Sequence, residues 1–386
     1  MIKIIFLSII SFLTCASCSS DKKNAGISIK NPSDFDRLTE LVEIPLSELK
    51  EKIISQEVSG YVVKTSDGKL IPSQITYDEK LIFRPELKAG EEKSFIIATG
   101  EPHEFDSQTY GRFITERKDD FAWENDRVAF RVYGPALVEI DGPSNGLDIW
   151  YKRTSDLIID KWYKNDLAGI ASYHKDNGEG LDDYKVGRTL GAGAMAPYVN
   201  GKLLLNENFK NQEILDNGPL RTTFALIYSD MDIDSVKVTE KRIISLDAGS
   251  QLTKIVQTYS FPELRAAAGI VKRGDGDTVI FANNYVIYGE PASKSVDKVY
   301  VAVVMKDGIN ETKVDTYEIT HPKSGKLESH SHILAITSVL KDKPAIYYTG
   351  YGWSKFGFPS IDSFKEYIEK FAESLKNPLE IIYQKK

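Results

Sequence analysis

The 386-residue chain is 41% hydrophobic, enough to build a packed core in one large or two ordinary domains. Its net charge of −7 argues against a general nucleic-acid binder, which would be basic. No P-loop, zinc-type cysteine pair or dinucleotide glycine fingerprint is present, while 20 Tyr and 17 Phe lean toward β structure and toward surfaces that meet flat ligands such as sugars.

Residues 1–18 read as an address. Lys3 gives a short positive start, and the apolar run from Ile4 to Leu13 is too short to span a bilayer, which predicts a secretory signal. Ala16-Ser17 before Cys18 resembles a bacterial lipobox with Cys18 as the lipidated residue, although Cys15 stands where Leu is usual. Both cysteines lie in this segment, so the exported body has no internal disulfide. Residues 19–27, SSDKKNAGI, read as a flexible tether. One Asp and two Lys after Cys18 make no strong acidic surface-export signal, so the expected place is the periplasmic side of the outer membrane. A plain cleaved signal without lipid is the alternative.

From residue 28 to 386 the chain reads as one body of short strands. The β-rich runs include LVEIPL (41–46), GYVVKT (60–65), KLIFRP (80–85), KSFIIAT (93–99), RVAFRVYG (127–134), TTFALIYS (222–229), LTKIVQTYSF (252–261), KVYVAVVM (298–305) and PAIYYTGYGW (344–353). Turn chemistry such as Asp67-Gly68 and Asp307-Gly308 separates them, with no repeat and no low-complexity linker. That pattern favours a single large antiparallel β-sandwich. One strong helix signal lies near the C-terminus: Phe364, Tyr367, Ile368, Phe371 and Leu375 form a stripe over 363–376, with Ser363 and Glu366 as a capping box and Asn377-Pro378 as the stop.

Four segments concentrate aromatic, basic and acidic side chains. In 110–135, Arg127, Ala129, Arg131 and Tyr133 fall on one face of the expected strand, near Trp123 and Glu124. Such a face could line a groove for an anionic sugar, because an Arg fork matches a carboxylate and a Trp ring stacks on a sugar. The segment 172–193, SYHKDNGEGLDDYKVGRTLGAG, has neither strand nor helix period and carries five glycines that permit close ligand approach. It holds Tyr173, His174, Tyr184, Lys185 and Arg188, and a His with a Tyr can supply both halves of acid–base chemistry. A solvated surface loop is the other reading, and its acidic residues do not match an EF-hand, so no metal is expected. In 215–224, Arg221 enters a strand after the Gly218-Pro219 turn, and in 349–360 Tyr351, Trp353 and Lys355 alternate on one side. His330 and His332 alternate on a strand, a spacing that reads as structural.

The stretches YGRF…ERKDDFAWENDRVAFRVYGP, YHKDNGEGLDDYKVGRTLGAGAMAP, LDNGPLRTTF and GWSKFGFPS resemble a bacterial family of exported proteins, domain of unknown function 4861, from about Ile29 onward. The resemblance implies an all-β, large antiparallel supersandwich of the mutarotase and lyase type, with a role in polysaccharide degradation and no cofactor. It also implies an oligosaccharide dehydratase of the ulvan pathway, which removes the C4 hydroxyl and C5 proton of a non-reducing-end glucuronic acid and leaves a 4,5-unsaturated uronic acid. That chemistry needs a base, an acid and a cation at the substrate carboxylate. His174 and Tyr184 are the expected acid–base pair with Lys185 beside them, and Arg127 and Arg221 the carboxylate clamps. Trp123, Glu124, Tyr173, Arg188, Trp353 and Lys355 are expected to line the site. A lyase that expels a sugar instead of water, and a non-catalytic glycan-binding lipoprotein, remain as alternatives.

The anchor hypothesis has a direct test. Cys18→Ala should move the protein from the membrane to the soluble periplasmic fraction, and unchanged membrane association of that variant refutes lipidation at Cys18.

Overall fold

A computed structural model describes residues 24–52, 60–101 and 103–384. Cys18 and residues 19–23 lie outside the described residues. Asn24–Ile27, expected as the end of the tether, instead open the strand Asn24–Lys30, which pairs with Glu92–Thr99 on one side and Glu380–Tyr383 on the other. Ile27 and Ile29 point inward and are fully buried, a period of two that is too short to stand out beside Asn24 and Gly26. The first and last described strands are thus hydrogen-bonded neighbours.

Those strands, with Tyr61–Thr65 and Leu70–Ile71, form a five-stranded sheet. It shares a core of Ile44, Val63, Leu81, Phe83, Phe95 and Ile97 with the three-stranded sheet Val42–Pro45, Lys80–Phe83 and Ser73–Ile75. This small sandwich rests on the main body through Leu41, Ile82, Leu220 and Ala248.

The main body is built on an eight-stranded antiparallel sheet. In spatial order it runs Asn211–Asn217, Arg221–Ile227, Glu240–Asp247, Leu252–Tyr259, Ala345–Trp353, Val299–Met305, Tyr285–Gly289 and Thr278–Phe281. The strand Val299–Met305 shows how the sheet divides its two faces. Val299, Val301, Val303 and Met305 enter the large core, whereas Tyr300, Ala302 and Val304 face the other way, toward the C-terminal helix. Two five-stranded sheets cover the first face. One is Thr109–Ile114, Asp120–Asn125, Ala129–Val132, Asp148–Lys152 and Gly180–Leu181 in order; the other is Lys202–Leu203, Ala192–Val199, Glu263–Lys272, Leu327–Leu340 and Glu311–Thr320. They meet at a parallel bridge between Leu147 and Gly191. The expected antiparallel β architecture with a C-terminal packing helix is therefore the one found.

The helix Ile361–Lys376 begins two residues earlier than the stripe suggested. Its cap is Ser360, whose hydroxyl accepts from the Ser363 N–H while the Ser363 hydroxyl accepts from the Ser360 N–H. Ser363 is the third helical residue and not the cap, so the expected Ser363–Glu366 box does not form. Three shorter helices, Leu46–Lys52, Pro135–Asp141 and Ile159–Leu167, carry too few turns to print a period on the sequence.

Phe364 is fully buried between the C-terminal helix and the outer sheet face, stacked on Tyr300 with centroids 6.1 Å apart. Phe364→Ala should lower unfolding free energy by about 3–5 kcal/mol, the usual range for deleting a core Phe. Urea denaturation measures it, and a loss under about 1 kcal/mol would show that the helix is not packed as described.

Candidate active site

The segment 172–193 forms the edge of the first five-stranded sheet and then crosses to the second. Two of its glycines are needed for close approach. Gly180 has φ +119, and a Cβ there would lie 1.8 Å from the Tyr151 carbonyl oxygen; Gly191 has φ +60, and a Cβ would lie 2.2 Å from the Leu147 carbonyl oxygen. The glycines let the segment lie against the strand Asp148–Lys152 and its approach.

A buried ion network fixes the start of this segment. Arg131 is 2% exposed, and its Nη2 lies 2.6 Å from the Asp148 carboxylate and 2.9 Å from that of Asp182. Asp120 pairs with Arg117 at 2.5 Å and stands 3.9 Å from the Arg131 Nε. Burial pushes the Asp148 carboxyl up to about 7, with Arg131 opposing and Asp182 adding to the rise. His174 sits at the surface end of this network. Its Nδ1 is 2.9 Å from the Asp182 carbonyl oxygen, its side chain is 59% exposed, and its ring lies 4.5 Å from that of Tyr173.

Two residues on, the chain turns the other way. Tyr184 is 4% exposed, its hydroxyl is buried with no hydrogen-bond partner among the described residues, and the Arg273 guanidinium covers its ring at 4.7 Å. Burial raises the Tyr184 phenol well above its usual range. Arg273 Nε lies 3.2 Å from Glu290, and Arg273 Nη2 donates to the Lys185 carbonyl. Burial raises the Glu290 carboxyl against the pull of Arg273. The loop after Glu290 then gathers the remote segment 353–355. Ser295 donates to Asp183 at 2.8 Å, Lys355 Nζ donates to the Ser295 carbonyl at 2.7 Å, and the Trp353 indole donates to the Val296 carbonyl at 2.6 Å.

Tyr184, Lys185, Trp353 and Lys355 are therefore linked in one cluster through Arg273 and the loop after Glu290. The remaining expected residues are not. His174 and Tyr184 share no bond or ring contact among the described residues, because Asp182 turns toward Arg131 while Tyr184 turns under Arg273. Tyr173 stacks on Trp150 at 5.5 Å inside a core cluster. Trp123 and Trp353 are 0% and 1% exposed, so neither ring offers a face to a sugar. Glu124 is fully buried, paired with Lys152 at 2.8 Å, and accepts the Ile158 and Ile159 N–H groups at 2.7 and 2.8 Å, which anchors the start of the helix Ile159–Leu167. Arg127 is in the turn before Ala129–Val132, not on that strand, so it does not share a face with Arg131. Arg221 already grips Asp247 with two nitrogens, at 2.5 and 2.8 Å, and Glu43 at 2.7 Å, which leaves no fork for a ligand carboxylate. Arg188 donates to the Pro143 carbonyl at 3.3 Å, away from Arg273 in its contacts. Arg273 and Glu290 were missed; each follows a strand end far from 172–193, with no local motif to mark it.

No group of three or more His, Cys, Asp or Glu that could hold a metal occurs among the described residues.

Residues 29–381 match the domain of unknown function DUF4861, and the chain belongs to that family. It is 31% identical over 393 residues to the "Uncharacterized protein P7" of Formosa agariphila, covering 97% of this chain and 96% of that protein. In fold it is similar to an alpha-mannosidase from Enterococcus faecalis V583, with a TM-score of 0.53 and 10% identity over 94% of this chain. A glycosyl hydrolase family 38 protein from Enterococcus faecalis gives 0.52, again at 10% identity and 94% coverage. The chain spans 46% and 48% of the lengths of those two proteins, about half of each.

The Asp148 carboxyl yields a pH prediction. Its ordinary pKa is 3.8 and its folded value about 7, so the folded state holds an extra proton between them. That stabilising contribution is complete below 3.8 and is lost as pH rises through about 7. Asp148→Asn should flatten this fall in a plot of Tm against pH, and parallel curves for the two proteins would refute it.

Proposed function

We propose that this protein processes anionic oligosaccharides, and that it is a dehydratase acting on a terminal uronic acid. Family membership, the fold shared with the alpha-mannosidase and the glycosyl hydrolase protein, and the chemistry of the cluster around Arg273 support this reading. The observation that carries it is Arg273: a guanidinium held by Glu290 and lying over the ring of Tyr184, whose buried hydroxyl has no hydrogen-bond partner among the described residues.

Arg273 receives the substrate carboxylate and stabilises the charge that develops next to C5 when the proton leaves. Movement of Arg273 onto that carboxylate uncovers Tyr184, whose hydroxyl gives its proton to the departing C4 oxygen. Glu290 aims Arg273, and Lys185 and Lys355 provide positive charge at the rim. His174 lies beyond Asp182 and takes no part. The C5 proton passes to a base and its bonding pair becomes the C4=C5 bond, while the C4–O bond breaks and the hydroxyl leaves as water with the Tyr184 proton.

Incubation with uronic-acid-terminated oligosaccharides should yield the intact oligomer less one water, with new unsaturation, by mass spectrometry and ultraviolet absorbance. Shorter oligomers would instead identify a lyase, and unchanged glycan a binder. Arg273→Lys and Tyr184→Phe should each lower turnover at least about 10²-fold, since Lys lacks the fork and Phe the proton. Tyr184→Phe should leave Tm unchanged or raised, because it deletes a buried hydroxyl that makes no hydrogen bond. Wild-type turnover in both variants would remove these residues from the site.

A further inference from the structure

The loop that carries Tyr184, Lys185 and Arg188 is braced from the second five-stranded sheet by two side chains. Tyr317 donates its hydroxyl to the Arg188 carbonyl at 2.7 Å, and His332 Nε2 accepts from the Leu190 N–H at 2.9 Å. The Tyr317 and His332 rings stack at 5.4 Å and 4°. His332 is fully buried, and burial holds it neutral with a pKa of about 3, so it serves as a fixed acceptor. Lys272 pairs with Ser331 and Val271 with His332, so the strand Glu263–Lys272 delivers Arg273 next to this brace, beside His330.

His330 sits one pleat further out on the same strand face, its ring 5.8 Å from Tyr317. Unlike His332 it reaches solvent, with 18% of its side chain exposed, and its Nε2 lies 3.3 Å from the carboxylate of Glu328. A carboxylate only accepts, so Nε2 carries the hydrogen and Nδ1 presents a lone pair. A histidine whose second nitrogen is oriented by a carboxylate is the arrangement that general bases use. The other titratable or charged groups around it are His332 on its own strand, Tyr317 and Asp315 on Glu311–Thr320, Lys272 and Arg273 at the end of the paired strand Glu263–Lys272, and Arg188 from the loop. Asp315 is paired with Lys313 at 3.0 Å.

We propose that His330 is the proton acceptor of the elimination, positioned by Glu328, and that Tyr184 is its acid partner. This rests on the dehydratase reading. His330 Nδ1 takes the C5 proton while Tyr184 protonates the departing hydroxyl. The cycle closes when the proton on His330 returns to the Tyr184 phenolate through water, with no net proton change.

The test uses the full chain and a uronic-acid-terminated oligosaccharide that the wild type dehydrates. His330→Gln should lower kcat at least about 10²-fold with KM and Tm near wild type. Glu328→Gln should retain measurable turnover but shift the acid limb of the pH–rate profile, which a purely structural role would not move. If His330→Gln keeps most of its turnover while Arg273→Lys loses it, His330 is not the base and the site stands. An unmoved acid limb in Glu328→Gln also overturns the pairing. If the wild type dehydrates nothing, both readings fall.

Discussion

Arg131 carries a full positive charge at 2% exposure, and the chain supplies carboxylates from three separate segments to keep it there. An unpaired guanidinium in that position would cost several kcal/mol, so Asp120, Asp148 and Asp182 are constrained together. Asp182 is the member that matters for the site. Held to Arg131 inside the sheet, it fixes the point from which Asp183, Tyr184 and Lys185 project toward the eight-stranded sheet. Burial is the main reason the Asp148 carboxyl stands raised, with Arg131 opposing the rise and Asp182 adding to it.

From that anchor the cluster around Arg273 is assembled by backbone carbonyls as much as by side chains. Lys185 and Arg188 offer their carbonyls to Arg273 and Tyr317, and Ser295 offers its own to Lys355. These contacts hold loop backbone, which leaves several side-chain ends facing solvent. The contrast with Arg221 is instructive. Its side chain is 9% exposed and both ends of its fork are filled by Asp247 and Glu43, so it ties the small sandwich to the main sheet. Arg273 has a similar local sequence character, yet among the described residues it pairs with one carboxylate, that of Glu290.

Much of the β architecture was legible because alternation is a local property. A strand such as Val299–Met305, apolar on both faces, announces a sheet buried on both sides, and the stripe from Phe364 to Leu375 announces a helix packed on one of them. The family was legible from long motifs, and the density of polar groups in 172–193 marked the segment that bridges the two covering sheets. The three short helices and the first strand were not legible, since each is too short for its period to rise above composition.

The site itself divides along the same line. The sequence alone determined that Tyr184 and Lys185 belong to an irregular, glycine-dependent segment, because composition and missing periodicity are readable residue by residue. It could not say that Tyr184 faces Arg273 or that His330 shares its strand face with the brace of that loop. Those neighbours are 89 and 146 positions away, and what brings them together is strand register across two sheets, fixed only when the large core closes. Nor could it distinguish an arginine that is open from one already filled. Arg127 and Arg221 looked like clamps in sequence, but a guanidinium's availability depends on which carboxylates the fold delivers to it, and for Arg221 these come from the strand beside it and from the small sandwich.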